Sequence, residues 1–162
     1  MKTIIYTDGS SRGNPGRGGW AAVVMTEHHV KELGGREDMT TNNRMELVGA
    51  IYGLKNVPGV TKEVEVHTDS QYVKKGMTEW IDGWIARDWK GSTKKPVLNK
   101  DLWQVLKKEE DKLKAEKVKV VWKYVKAHVG IDGNERADTI ATEFADANNL
   151  HLYDGPRSGY HF

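Results

Sequence analysis

The chain contains no cysteine. That excludes disulfides, thiolate nucleophiles and Cys-based zinc sites, and it fits a reducing compartment, so a cytoplasmic location is expected. No run approaches the ~18 consecutive apolar residues of a membrane span. The opening stretch MKTIIYTDGS has no long apolar h-region and runs straight into a strand pattern, so neither a membrane anchor nor a signal peptide is expected. A strong excess of one charge is also missing. With a net charge of +2, any grip on a polyanion must come from local clusters rather than a global field. There is no internal repeat and no low-complexity linker. What is present, 162 residues of which 38% are hydrophobic and 30% charged, suits one soluble domain built on one core.

Hydrophobic patterning predicts strands over residues 2–7, 20–26 and 30–35, with the glycine-rich turn DGSSRGNPGRGG between the first two. The three suggest an antiparallel meander. A helix is predicted over 43–56, with Leu47, Ile51 and Leu54 on its apolar side, and Pro58-Gly59 ends that region. Val64, Val66 and Thr68 alternate with Glu63, Glu65 and His67 in a fourth strand that runs into Asp69. Residues 70–86 read as helical, 91–96 as a basic loop, and Asn99 as the cap of a helix carrying Leu102, Val105, Leu106 and Leu113. A fifth strand is predicted over 118–125. A last helix starts near Glu135, with Ala137, Ile140, Ala141 and Phe144 on its buried face. This order predicts an α/β fold, a five-stranded mixed sheet flanked by helices. Residues 1–148 form the expected domain. Residues 149–162 form a tail that is either frayed or docked through Tyr160 and Phe162.

Four acids fall at element ends. Asp8 closes the first strand and Asp69 the fourth. If those strands are parallel neighbours, both carboxylates emerge at one edge of the sheet, where ligand sites of α/β sheets lie. Glu46 and Asp138 are expected in the first turns of their helices. Each acid also has a plainer reading: Asp8 before Gly9 as a turn residue, Asp69-Ser70 as a cap, Asp138 as a partner of a helix dipole. Glu46, three residues after Asn43, has the spacing of a capping box. Together the four point to a site for a cation, because crowded carboxylates do not all ionise without one. Oxygen ligands of this hardness suit Mg²⁺ or Mn²⁺, and a pair of such ions about 3.5–4 Å apart is the common clamp for phosphodiester displacement.

These residues lie within longer motifs: YTDGSSRGNPGRGGW, TTNNRMEL, TDSQYV, a Trp-rich basic segment with KKPV and DLW, and AHVGIDGNERADTIA. In this order and spacing the chain resembles the type 1 ribonucleases H over residues 2–147. These enzymes cut the RNA strand of RNA–DNA hybrids. The resemblance implies a ribonuclease H-like fold and a Mg²⁺-dependent endonuclease with two ions per site in the substrate complex, Mn²⁺ being the alternative. The metal ligands would be Asp8, Glu46, Asp69 and Asp138. Asp8 would bridge both ions, Asp138 would serve the ion that activates water, and Glu46 with Asp69 would serve the ion at the leaving 3′ oxygen. The products would carry 5′-phosphate and 3′-hydroxyl ends. His128 matches the family's mobile-loop histidine, a proton shuttle or an aid to product release. The glycine usual before it is Ala127 here.

Telling RNA from DNA requires contact with the 2′-hydroxyl. By resemblance Ser11, Gly13, Asn14, Asn43, Glu46 and Gln71 read it, and Asn42 and Asn134 join the substrate contacts. Thr41 and Asn43 match a DNA-phosphate pocket. Trp80, Trp84, Arg87, Trp89, Lys90, Lys94 and Lys95 match a basic protrusion, though tryptophans at this spacing also suit a core. Neither G-x-x-x-x-G-K-[ST] nor G-x-G-x-x-G is present, which removes P-loop and dinucleotide readings. Two rivals are a hybrid-binding module that has lost the cut, and a DNA-directed nuclease on the same fold. The expected protein is a monomer with no obligate protein partner.

Overall fold

A computed structural model describes residues 1–126 and 132–162. Three strands, β1 (Lys2–Ser11), β2 (Gly16–Met25) and β3 (His29–Thr40), form an antiparallel meander. Helix α1 (Asn42–Lys55) crosses to β4 (Glu63–Thr68), which pairs parallel with β1. Then come α2 (Gln71–Lys75), α3 (Ile81–Ala86), α4 (Lys100–Ala115), β5 (Lys119–Tyr124) and α5 (Asp132–Ala145). The sheet has six strands rather than the expected five, in the order β5-β4-β1-β2-β3-β6. The sixth, β6 (Asp154–Pro156), comes from the tail and is too short for its alternation to be visible in the sequence. No helix among the described residues is long and apolar enough to cross a membrane.

The sheet is covered on both faces, which is why AAVVM on β2 is buried without alternation. Ala22 and Val24 face one core with Ile5, Leu47, Ile51, Leu54, Val64 and Val66, under α1 and α4. Ala21, Val23 and Met25 face the other with Val30, Ala137 and Ile140, under α5. Each fully buried Leu or Ile contributes about 1.5–3 kcal/mol. Trp103 of α4 is fully buried and donates its indole N–H to the Tyr72 hydroxyl at 3.0 Å.

Several boundaries differ from the pattern-based ones. The glycine-rich stretch is mostly strand: Ser10 pairs with Gly19 and Ser11 with Gly18, which leaves residues 12–15 as the turn. Helix α1 is capped by Thr41, whose hydroxyl accepts the Arg44 N–H at 3.2 Å, so Asn43 and Glu46 do not form the capping box. Ser70, not Asp69, caps α2 by accepting the Val73 N–H. Residues 70–86 are not one helix. A π-helical turn at Gly76–Trp80 separates α2 from α3, and the Trp103 ring occupies the space beside Gly76. Asn99 precedes α4 in a left-handed conformation and makes no side-chain cap. Helix α5 starts at Asp132, which puts Asp138 in its second turn rather than its first.

The C-terminal segment is fixed to the sheet edge. The Arg157 N–H donates to the His28 carbonyl, and its guanidinium donates to the Thr26 carbonyl at 3.0 Å. The Tyr160 hydroxyl and the Tyr153 N–H donate to the Glu32 carboxylate at 2.7 and 3.0 Å. Arg136 of α5 binds the same carboxylate in a fork, at 2.6 and 3.0 Å. Burial pushes the Glu32 carboxyl up, but these donors outweigh it and hold it below its ordinary value. Stability from a depressed carboxyl is complete above its unfolded value, about pH 4.3, and is lost as pH falls through the folded one. Glu32→Gln should therefore cost about 2–4 kcal/mol at pH 7. The gap to wild type should close below about pH 4, as urea melts at pH 7 and pH 3 would measure. An equal gap at both pH values contradicts this role for the charge.

Candidate active site

The parallel pairing of β1 and β4 sets Thr7 beside Thr68. Asp8 and Asp69 are the next residues along the two chains, so both acids leave the sheet at the same edge. Helix α1 brings the third. Gly9 has no side chain, and a Cβ there would overlap the backbone of Met45 and Glu46, so the start of α1 reaches the strand only because residue 9 is glycine. The Gly9 N–H donates to both Asp8 Oδ1 (2.8 Å) and Glu46 Oε1 (2.6 Å). Asp8, Glu46 and Asp69 each place a carboxylate oxygen within 4.8 Å of the others. Half-buried Asp138 joins them from α5 along the wall of an open recess of about 290 Å³, together with Ser10, Asn42 and Ser70.

The electrostatics are unfavourable without a cation. Asp8 and Glu46 are each 3% exposed. Burial, then the charge of Glu46 and of Asp69, pushes the Asp8 carboxyl far above the usual carboxylate range. Burial also raises Glu46. Its contact with Asp8 and the Gly9 N–H work against that rise, and the charges of Asp69 and Asp138 add to it. Two carboxyls this close and this buried disfavour joint ionisation. Glu46 Oε2 is buried with no hydrogen-bond partner among the described residues. A buried, partnerless carboxylate oxygen beside two other acids fits a hard divalent cation such as Mg²⁺ or Mn²⁺.

A second recess of about 190 Å³ opens beside the first and is lined by Asn14, Thr41, Asn42, Asn43, Leu98 and Asn99. Four of the expected substrate contacts thus line one hollow. Leu98 and Asn99 were not foreseen. Asn99 accepts from Arg44 at 3.2 Å and donates to the Tyr72 hydroxyl at 3.1 Å. Its φ of 62° is a conformation asparagine tolerates well, and Asn before a helix was the only signal of it in the sequence. Ser11 ends β1, Gly13 lies in the turn at φ 140°, and Gln71 is exposed at the start of α2.

The aromatic segment divides. Trp80 is 38% exposed, whereas Trp84 and Trp89 pack against the core, with Trp84 5.1 Å from Trp103 between ring centroids. Arg87 and Lys90 are exposed, and Arg87 donates to the Lys90 carbonyl at 3.3 Å. Asn134 is buried, and its Oδ1 has no partner among the described residues. His128 and Ala127 lie outside the described residues.

The RNase H family matches residues 1–146. A ribonuclease H of Chromohalobacter salexigens is 48% identical over 145 residues, covering 90% of this chain and 85% of that protein. Among solved structures, LC9-RNase H1, a type 1 RNase H with the type 2 active-site motif, superposes with a TM-score of 0.80 at 28% identity, covering 95% of this chain and 77% of the other. LC11-RNase H1, solved in complex with an RNA/DNA hybrid, gives a TM-score of 0.64 at 26% identity, covering 90% and 97%. With its four acids gathered at one sheet edge and these relatives spanning nearly its whole length, the chain belongs to the ribonuclease H family, type 1.

Proposed function

We propose that this ribonuclease H hydrolyses the RNA strand of RNA–DNA hybrids with two Mg²⁺ ions, leaving 5′-phosphate and 3′-hydroxyl ends with little sequence preference. It acts as a monomer in the cytoplasm. The observation that carries the reading is the convergence of Asp8, Glu46 and Asp69 within 4.8 Å, with Asp138 on the same wall. LC11-RNase H1, a relative of the same fold, was solved with an RNA/DNA hybrid bound, which supports the substrate class.

Asp8, Glu46, Asp69 and Asp138 would hold the ions. When bound, the ions would supply charge neutralisation at the scissile phosphate, an activated water and stabilisation of the leaving oxygen. The chain's own residues supply position. The Gly9 N–H aims the Asp8 and Glu46 carboxylates by donating to both. Ser10, Asn42 and Ser70 offer uncharged polar groups on the rim, suited to the sugar beside the scissile phosphate. The Asn14–Thr41–Asn43 hollow offers amide and hydroxyl groups for a second strand's phosphate. None of these groups reads a base edge in a groove, which is why little sequence preference is expected. His128 is assigned the proton-shuttling or product-release role by resemblance, and Trp80, Arg87 and Lys90 the backbone-tracking surface.

The direct test offers hybrid, duplex DNA and duplex RNA with Mg²⁺ and identifies the strand that is cut. RNA-strand cleavage confined to the hybrid supports the reading. DNA cleavage points to a DNA-directed nuclease, and binding without cleavage to a binding module. Asp69→Asn should abolish turnover, by about 10³-fold or more, while hybrid binding in Mg²⁺ survives. Near wild-type cutting by that variant would overturn the metal assignment.

The raised Asp8 carboxyl has its own consequence. A carboxyl raised in the folded state penalises folding once pH exceeds its unfolded value, about 3.9, and the penalty grows until the folded value is reached. Asp8→Asn should therefore raise the melting temperature of the metal-free protein at pH 7, by about 2–4 °C per kcal/mol relieved. The gain should vanish near pH 3, and Mg²⁺ should stabilise wild type more than the variant. A lower melting temperature for the variant at pH 7 in chelator contradicts the electrostatic account.

A further inference from the structure

Helix α5 lies on a part of the sheet that carries small residues. Beneath it are Gly19 and Ala21 of β2 and Gly34 of β3. A methyl group at Gly19 would overlap the Ala141 carbonyl, and one at Gly34 would fall 2.7 Å from the Ile140 side chain. On the helix side Ala137, Ala141 and Ala145 are buried, and Ile140 and Phe144 are seated over the glycines. The missing side chains bring the helix close to the sheet. These apolar contacts are non-directional.

Directional contacts at the two ends supply what packing does not. Near the C-terminal end, Arg12 forks onto Asp146 with both bonds at 2.6 Å, but both side chains are more than a third exposed, so the pair is screened. Near the N-terminal end, Arg136 forks onto Glu32, whose side chain is 2% exposed. Glu32 is held in turn by the Tyr160 hydroxyl and the Tyr153 N–H. Arg136 is two residues before Asp138. At about 100° per residue the two side chains leave the helix on nearly opposite sides. Any rotation of α5 that loosens Arg136 therefore swings Asp138 across the recess.

We propose that the C-terminal segment, residues 153–160, is a positioning clamp for Asp138. Tyr160 and the Tyr153 N–H fix Glu32, Glu32 fixes Arg136, and Arg136 sets the rotation of α5 that brings the Asp138 carboxylate to Asp8, Glu46 and Asp69. Tyr160, Glu32 and Arg136 are positioning residues that need touch neither substrate nor ion. The aromatic end of the chain thereby acts on the metal site from the opposite margin of the sheet. The inference rests on the reading of Asp138 as a ligand.

Full-length wild type, Tyr160→Phe, Glu32→Gln and Asp138→Asn are compared well below their melting temperatures. Mn²⁺ affinity is measured by titration calorimetry, alongside amide exchange of α5, the Mg²⁺ concentration for half-maximal cleavage, and KM for the hybrid. Tyr160→Phe removes one oxygen and keeps the ring, so the fold is retained. It should weaken Mn²⁺ binding several-fold and raise the half-saturating Mg²⁺ to match, with KM within about twofold of wild type. Glu32→Gln should do the same more strongly, approaching the ~10-fold loss typical when a metal ligand's support is removed. Both should speed exchange in α5. If both variants lower only the melting temperature and leave Mn²⁺ affinity unchanged while Asp138→Asn weakens it, the segment is a stabiliser and the clamp is refuted. If Asp138→Asn leaves Mn²⁺ affinity and cleavage unchanged, the ligand assignment itself fails and takes the clamp with it.

Discussion

Asp8 and Glu46 are buried side by side on a single backbone N–H, that of Gly9. The rest of the molecule is arranged around that unfavourable contact. Two carboxylates removed from water cannot both be ionised without a compensating charge. Asp69 and Asp138 deepen the negative field on Glu46. A site built in this way suits a divalent cation, whose charge lets both carboxylates ionise. The surrounding stability has to come from elsewhere, and the two cores on either face of the sheet supply it.

The fold gathers the acids by simple means. Parallel pairing of β1 with β4 puts Asp8 and Asp69 at equivalent ends of neighbouring strands. A missing side chain at residue 9 lets α1 approach with Glu46. Asp138 arrives on a helix seated close over Gly19 and Gly34, with ionic contacts toward both its ends. The four acids therefore differ in how they are held. Asp8 and Asp69 continue from paired strands, Glu46 is locked by a short hydrogen bond, and Asp138 depends on contacts that reach to the C-terminal segment.

Much of this was legible in the sequence. Hydrophobic patterning and turn residues located the meander, and the alternation of Val64, Val66 and Thr68 placed Asp69 at the end of a strand. The spacing of Asn43 and Glu46 left two readings open, because capping-box spacing and one-turn-in spacing are the same. Thr41 is the cap, and it lies one position before the helix proper. The start of α5 was placed three residues late because DGN reads as loop, which moved Asp138 into the wrong turn. The sixth strand and the Glu32 network were hidden for another reason. Glu32 shares its strand face with buried Val30, and its partners are over 100 residues away in the chain. The Trp-rich segment left its roles open, and packing against Trp103 accounts for Trp84 turning inward.

If a cation relieves the buried Asp8–Glu46 pair, its binding displaces protons from that pair. Calorimetric titration of Mn²⁺ at pH 6, repeated in buffers of different ionisation enthalpy, counts the protons released on binding. Wild type should release about one proton per tight binding event, and Asp8→Asn should bind weakly and release almost none. Tight binding without proton release, or equal binding by the variant, would contradict the account.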